Sequence, residues 1–150
     1  MLEKSDAGKT LILLVEDNPA DVGLFRLALK DAELDCDLTV LEDGAAALSL
    51  IRHSDTGAGA RIPDLAVLDL NLPKNGGLEV LEAIRANSAF ANMRVAILSS
   101  SSSPRERARI EEFGVDRFIT KPLDLDGFLG IGSVLKDLLR EGSGQSASAL

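Results

Sequence analysis

Five short apolar runs punctuate the chain, and between them apolar residues recur at helical spacing. The runs cover residues 11–15, 38–41, 65–68, 95–98 and 118–120. The first, third and fourth are apolar without alternation, the pattern of strands covered on both faces in a parallel sheet. The segments between them read as helices. Residues 20–32 place Val22, Phe25, Ala28, Leu29 and Ala32 on one face, residues 44–52 carry Leu48 and Ile51, and residues 77–86 repeat Leu78, Leu81 and Ile84 as an amphipathic stripe. A fourth helix announces its start: Ser103 is a capping residue, Pro104 suits the first helical position, Glu106 completes a capping box, and Gly114 suits the exit. The last helix, over residues 125–140, contains Gly127, Gly130 and Gly132. Each costs about 1 kcal/mol against alanine inside a helix, so its first half is expected to be irregular, with Leu135, Leu138 and Leu139 anchoring the rest.

Five strand–helix repeats predict one open, doubly wound α/β domain of the flavodoxin-like kind, a parallel five-stranded sheet in the order 2-1-3-4-5. The domain spans residues 10–141, between a flexible N-terminus (1–9) and a flexible tail (142–150) rich in Gly and Ser. Residues 53–62 form a long loop before the third strand.

The chain has 150 residues, enough for one ordinary core. Its 24 acids against 16 bases give a net charge of −8, which repels phosphate backbones and anionic lipid, so neither nucleic acid nor membrane is an expected partner. A single cysteine excludes an intrachain disulfide and a cysteine-rich zinc site, and suits a reducing compartment. No apolar run approaches membrane-helix length and no signal-peptide core opens the chain, so a cytoplasmic protein is expected.

In an open α/β sheet, ligands sit at the carboxyl ends of the strands. There the first strand runs into Glu16-Asp17, the third into Asp69, the fourth into Ser99-Ser100 and the fifth into Lys121-Pro122. Two like charges about 4 Å apart repel by about 4 kcal/mol at an effective dielectric of 20. Three gathered carboxylates therefore need a proton, a cation or more room, and Lys121 alone cannot neutralise them. Hard oxygen ligands in a small cluster favour Mg²⁺, which keeps several waters and accepts a phosphoryl oxygen. The competing reading is that each acid caps the helix after it, as Asp17 or Asn18 could do before Pro19; capping alone gives no reason for the lysine.

Taken together, Leu13-Leu14-Val15-Glu16-Asp17-Asn18, Asp64 through Pro73 with Gly76-Gly77-Leu78-Glu79, Leu98-Ser99 and Thr120-Lys121-Pro122 resemble a two-component response-regulator receiver domain, CheY-like in fold, over nearly the whole chain. The spacings from Asp69 to Ser99 and from Ser99 to Lys121 are usual for receivers. That from Asp17 to Asp69 is longer, and the loop at 53–62 absorbs the excess. This insertion, with the opening Val-Glu-Asp-Asn-Pro-Ala-Asp, is similar to single-domain regulators that serve bacterial and cyanobacterial phytochrome kinases. The resemblance implies that Asp69 is the phosphoacceptor. Glu16, Asp17, Asp69 and the main-chain carbonyl of Asn71 would hold Mg²⁺. Lys121 and Ser99 would bind the phosphoryl group, and Phe118 would be the switch aromatic. It also implies a cis Lys121–Pro122 bond, and it implies a sensor histidine kinase or a histidine phosphotransfer protein as partner. Having no phenol, Phe118 would choose between inward and outward positions by packing alone. A polar run from Ser99 to Ser103 replaces the usual small residue after the hydroxyl.

The function expected is a phosphorylatable switch that passes its signal by binding, dimerising or handing the phosphoryl group onward. Ser99 and Phe118 supply the contacts that differ between its states. Two rivals are a Mg²⁺-dependent phosphatase of the haloacid-dehalogenase type, which would want Asp-x-Asp after the first strand, and a flavin module, which would want a phosphate loop there instead of acids. Of the remaining residues, His53 reads as loop surface and Cys36 as a small residue of the connection before the second strand. Arg105, Arg107 and Arg109 read either as a solvated face paired with Glu111 and Glu112, or as part of a docking edge. In many receivers that edge is the dimer or output face of fourth helix, fifth strand and fifth helix.

Overall fold

The computed structural model describes residues 9–54, 61–72, 76–100 and 103–148. Its elements are β1 (Thr10–Val15), α1 (Pro19–Asp31), β2 (Cys36–Leu41), α2 (Gly44–Ser54), β3 (Leu65–Asp69), α3 (Gly77–Ala86), a 3₁₀ turn (Ser88–Phe90), β4 (Arg94–Ser99), α4 (Pro104–Glu111), β5 (Arg117–Thr120), α5 (Leu125–Leu129) and α6 (Ile131–Ser148). The five strands are parallel in the order β2-β1-β3-β4-β5, as the alternation of runs and helices predicts.

Successive strand residues point to opposite faces, and the two cores separate accordingly. Leu13, Val15, Ala66, Leu68, Val95 and Ile97 pack under α2, α3 and α4 through Leu48, Ile51, Leu81, Ile84 and Ile110. Ile12, Leu14, Leu65, Val67, Ala96 and Leu98 pack under α1, α5 and α6 through Phe25, Leu29, Phe128, Ile131 and Leu135. Continuous apolar runs are thus required in β1, β3 and β4, the three inner strands.

Local signals set the helix boundaries. Asn18, not Asp17, caps α1, its side chain accepting from the N–H groups of Ala20 and Asp21. Ser103 Oγ accepts from Glu106 N at the start of α4, and Gly114 leaves that helix in the left-handed region at φ 71°. The glycines of the last helical stretch have two effects. The helix breaks at Gly130 into α5 and α6. Gly132, at the start of α6, lies so close to the Ala28 carbonyl of α1 that a side chain there would collide with it.

Four features differ from the sequence reading. The backbone of α6 continues to Ser148, through most of the stretch read as a tail. His53 belongs to the last turn of α2, where its Nδ1 lies 2.7 Å from the Ser49 carbonyl, a favourable end for a basic ring. Cys36 opens β2 itself. No peptide bond among the described residues is cis, so Lys121–Pro122 is trans. The expected flexible start, most of the loop after residue 54, Pro73, Asn75, Ser101 and Ser102 lie outside the described residues.

Candidate phosphoryl and metal site

The strand register assembles the site. Val15 pairs with Leu68, so Glu16 follows β1 next to Asp69, the last residue of β3. Asp69 pairs with Leu98, which sets Ser99 one step beyond it, and Ser99 pairs with Thr120, after which Lys121 leaves β5. Two backbone bonds extend this order past the strand ends: Lys121 N donates to the Ser99 carbonyl at 2.8 Å, and Glu16 N to the Leu41 carbonyl at 2.9 Å. Glu16, Asp69 and Ser99 are the buried polar residues among those described. Gly77 closes the floor, because a Cβ there would come within 2.5 Å of the Asp69 carbonyl oxygen.

Each buried carboxylate is held on two sides. Asp69 Oδ1 accepts from Asn71 N at 2.9 Å, and Asp69 Oδ2 accepts from Lys121 Nζ at 3.1 Å. Glu16 Oε2 accepts from Asn18 N at 3.1 Å. Glu16 Oε1 lies 2.8 Å from Lys121 Nζ as an ion pair but has no hydrogen bond, unlike the other buried side-chain polar atoms described. The ammonium donates instead to Asp69 and, at 2.8 Å, to Asp21 Oδ2.

One ammonium among several acids leaves an excess of negative charge. Burial pushes the Glu16 carboxyl up to about 7, Lys121 opposes that rise, and the Asp69 charge adds to it. Burial pulls the Lys121 ammonium down, but its bond to Asp21, its close contact with Glu16 and the charges of Asp69 and Glu16 outweigh this, so it is held above its ordinary value and stays charged. Glu16, Asp17 and Asp69 each offer an oxygen within 4.8 Å of the others. With Glu16 Oε1 among them, held only by its ion pair to Lys121, this all-oxygen set fits a hard divalent cation such as Mg²⁺. Asp17 is exposed, and beside it opens a cleft of about 250 Å³ lined by Val22, Arg26, Val40 and Glu42.

The structure therefore brings together Glu16, Asp17, Asp69 and Lys121, with the Asn71 backbone on Asp69 and Ser99 at the adjoining strand end. Phe118 lies apart, lower on β5 and packed on the α2–α4 side of the sheet. The Arg107 guanidinium of α4 sits 4.4 Å from its ring centroid. Arg107 also pairs with Glu111, while Arg109 pairs with Glu82 of α3 in place of Glu112. The residue that sequence reasoning missed is Asp21. It reads as an acid complementing the first turn of α1, yet it stands four residues after Asp17, and that spacing could have placed it on the same side of the helix start.

A family model described as "response regulator receiver domain" matches residues 12–130. Response regulator Rcp1 of Synechocystis sp. is 35% identical over 125 residues, covering 83% of this chain and 84% of that protein. The crystal structure of the phosphorylated cyanobacterial phytochrome response regulator RcpA superposes with a TM-score of 0.79 at 32% identity, covering 88% of this chain and 94% of that one. The Mn²⁺-bound form of Rcp1 superposes at 0.75 and 32% identity, covering 85% and 91%. The matches lend no support to the phosphatase or flavin readings. Sheet order, strand-end chemistry and these relatives agree that the chain belongs to the response regulator receiver domain family, signalling proteins of two-component phosphorelays, and that it resembles the regulators of phytochrome systems.

Proposed function

We propose that Asp69 accepts a phosphoryl group from a sensor histidine kinase, or from a histidine phosphotransfer protein, and that the added charge changes which proteins this chain binds. The observation that carries this reading is the buried Asp69 carboxylate between the Lys121 ammonium and the oxygens of Glu16 and Asp17. An Asp69 oxygen attacks phosphorus, a P–O bond forms, and the P–N bond of the donor imidazole breaks with its electron pair remaining on nitrogen. Transfer of this kind asks the protein for positioning and charge neutralisation. Lys121 supplies a permanent positive charge to the phosphoryl oxygens, and Ser99 supplies a hydroxyl to them. Mg²⁺ held by Glu16, Asp17, Asp69 and the Asn71 carbonyl supplies further neutralisation when bound. Attack by water on the resulting acyl phosphate ends the signal, and no other substrate is turned over.

The phosphoryl group adds about two negative charges. It shifts a conformational equilibrium only through contacts that differ between states, and Ser99 and Phe118 make those contacts. Resemblance to Rcp1 and RcpA points to a phytochrome-type kinase as the donor, and the face of α4, β5 and the last helices is the proposed dimer or output surface. Because ATP-fed histidine kinases transfer their phosphoryl groups in the cytoplasm, that is where we place the protein.

Incubation with a small phosphodonor tests the reading. Mass should rise by one phosphoryl group with Mg²⁺ present, should stay unchanged without it, and should stay unchanged in Asp69→Asn. Labelling that persists in Asp69→Asn overturns the assignment. Ser99→Ala should lose phosphorylation-dependent partner binding; unchanged binding removes Ser99 from the switch.

A further inference from the structure

We infer that Asp21 is a positioning residue for Lys121, a carboxylate that shares the ammonium with the phosphoryl site and thereby limits how tightly that site holds a phosphoryl group. The inference rests on the reading of Asp69 as phosphoacceptor. Three acids contact Lys121 Nζ: Glu16 at 2.8 Å, Asp21 at 2.8 Å and Asp69 at 3.1 Å. Two of them belong to the cluster whose oxygens gather within 4.8 Å, and Asp21 does not. Glu16 and Asp69 would give part of their charge to a divalent ion held at that cluster, whereas Asp21 would keep its hold on the ammonium undiminished.

Asp21 is well placed to keep that hold. It stands in the first turn of α1, which Asn18 caps from the loop just after Glu16. It reaches across to the end of β5, a pairing of residues distant in sequence. Charge-assisted hydrogen bonds of this length are the strong ones. A phosphoryl oxygen arriving on Asp69 must then share the ammonium with Asp21, and that sharing weakens the phosphoryl contact. Removing the Asp21 charge frees the ammonium for the phosphoryl group.

Beryllium fluoride, which sits on a phosphoacceptor carboxylate as a phosphoryl mimic, gives an equilibrium readout on the full chain with Mg²⁺. Asp21→Asn should bind it about tenfold more tightly, the loss of roughly one charge-assisted contact. Glu42→Gln removes another acid beside the site, one with no described contact to Lys121, and should stay within about twofold of wild type. In Lys121→Met the effect of Asp21→Asn should also fall within about twofold, because the residue acts through the lysine. If Lys121→Met binds too weakly to titrate, the nitrogen-15 resonance of the Lys121 ammonium decides in wild-type background. It should move on Asp21→Asn and stay in place on Glu42→Gln. Equal tightening by Asp21→Asn and Glu42→Gln would reduce Asp21 to a diffuse field effect and overturn the inference, as would unchanged or weaker binding. Failure of the wild type to bind the mimic with Mg²⁺ would instead overturn the Asp69 reading.

Discussion

The two edges of the sheet carry the same kinds of side chain and use them differently. At the amino edge, Lys9 pairs with Asp35 and Asp37, Arg61 pairs with Asp37, and Arg94 pairs with Asp116, which also accepts from the backbone N–H of Val95. Bases and acids are matched there, and Lys9 and Asp35 are 38% and 89% exposed. At the carboxyl edge one lysine, 12% exposed, serves Glu16 at 1% and Asp69 at 4%, with Asp21 beside them. Pairs as exposed as that of Lys9 with Asp35 contribute little to stability and are screened by salt. A buried surplus of acid opposes folding and makes sense as a place where a cation and a phosphoryl group are to be received.

The largest difference should appear when each edge loses its lysine. Lys121→Met leaves buried carboxylates without an ammonium and should cost about 3 kcal/mol in metal-free buffer, part of it restored by Mg²⁺. Lys9→Met should leave the urea midpoint unchanged. Equal losses for the two variants, or a Lys121→Met loss indifferent to Mg²⁺, would erase the distinction between the edges.

Next comes crowding under the site. Gly77→Ala pushes a methyl against the Asp69 carbonyl and the Leu70 Cα. Overpacking of this kind should cost about 1–3 kcal/mol and should slow labelling of Asp69 as its strand end shifts. A variant of unchanged stability and labelling rate would show that the floor of the site yields.

A smaller effect separates the edges by pH. The Glu16 carboxyl stands near 7 in the folded chain against an ordinary 4.5. Between those values the folded state binds more protons than the unfolded one, so the contribution of this group to stability falls as pH rises from 4.5 towards 7 in the absence of metal. Mg²⁺ must displace that proton, so its affinity should rise with pH and level off above about 7. Titrations at about pH 6 and about pH 8 should show tighter binding at the higher value, and Glu16→Gln should flatten the difference. A wild-type affinity independent of pH would contradict the buried-acid account.

Most of this architecture was legible from the residues. Unbroken apolar runs marked the inner strands, Ser103 and Pro104 marked the entry to α4, and the glycines at 127, 130 and 132 marked the stretch where the last helix breaks. The acids and the lysine at strand ends marked the candidate site, because parallel topology alone brings those ends together. What escaped was set partly by tertiary contact and partly by local backbone structure. Asp21 stands where an acid complements the helix dipole, and only the approach of α1 to the end of β5 makes it a lysine ligand. His53 joined α2 through a local bond to the Ser49 carbonyl that no periodicity announces. The Gly/Ser-rich stretch after residue 141 read as tail by composition, while the backbone of α6 continues through it to Ser148.

The account's central claim is chemical: the carboxylate at the end of β3 is the group that receives the phosphoryl. Borohydride reduces an acyl phosphate to the alcohol, so trapping the labelled protein and mapping its peptides locates the modified side chain directly. Homoserine is expected at position 69, formed when phosphodonor and Mg²⁺ are both present. Homoserine at position 17 or 21, a reduced Glu16, or an unmodified position 69 in protein that has gained a phosphoryl group would contradict it.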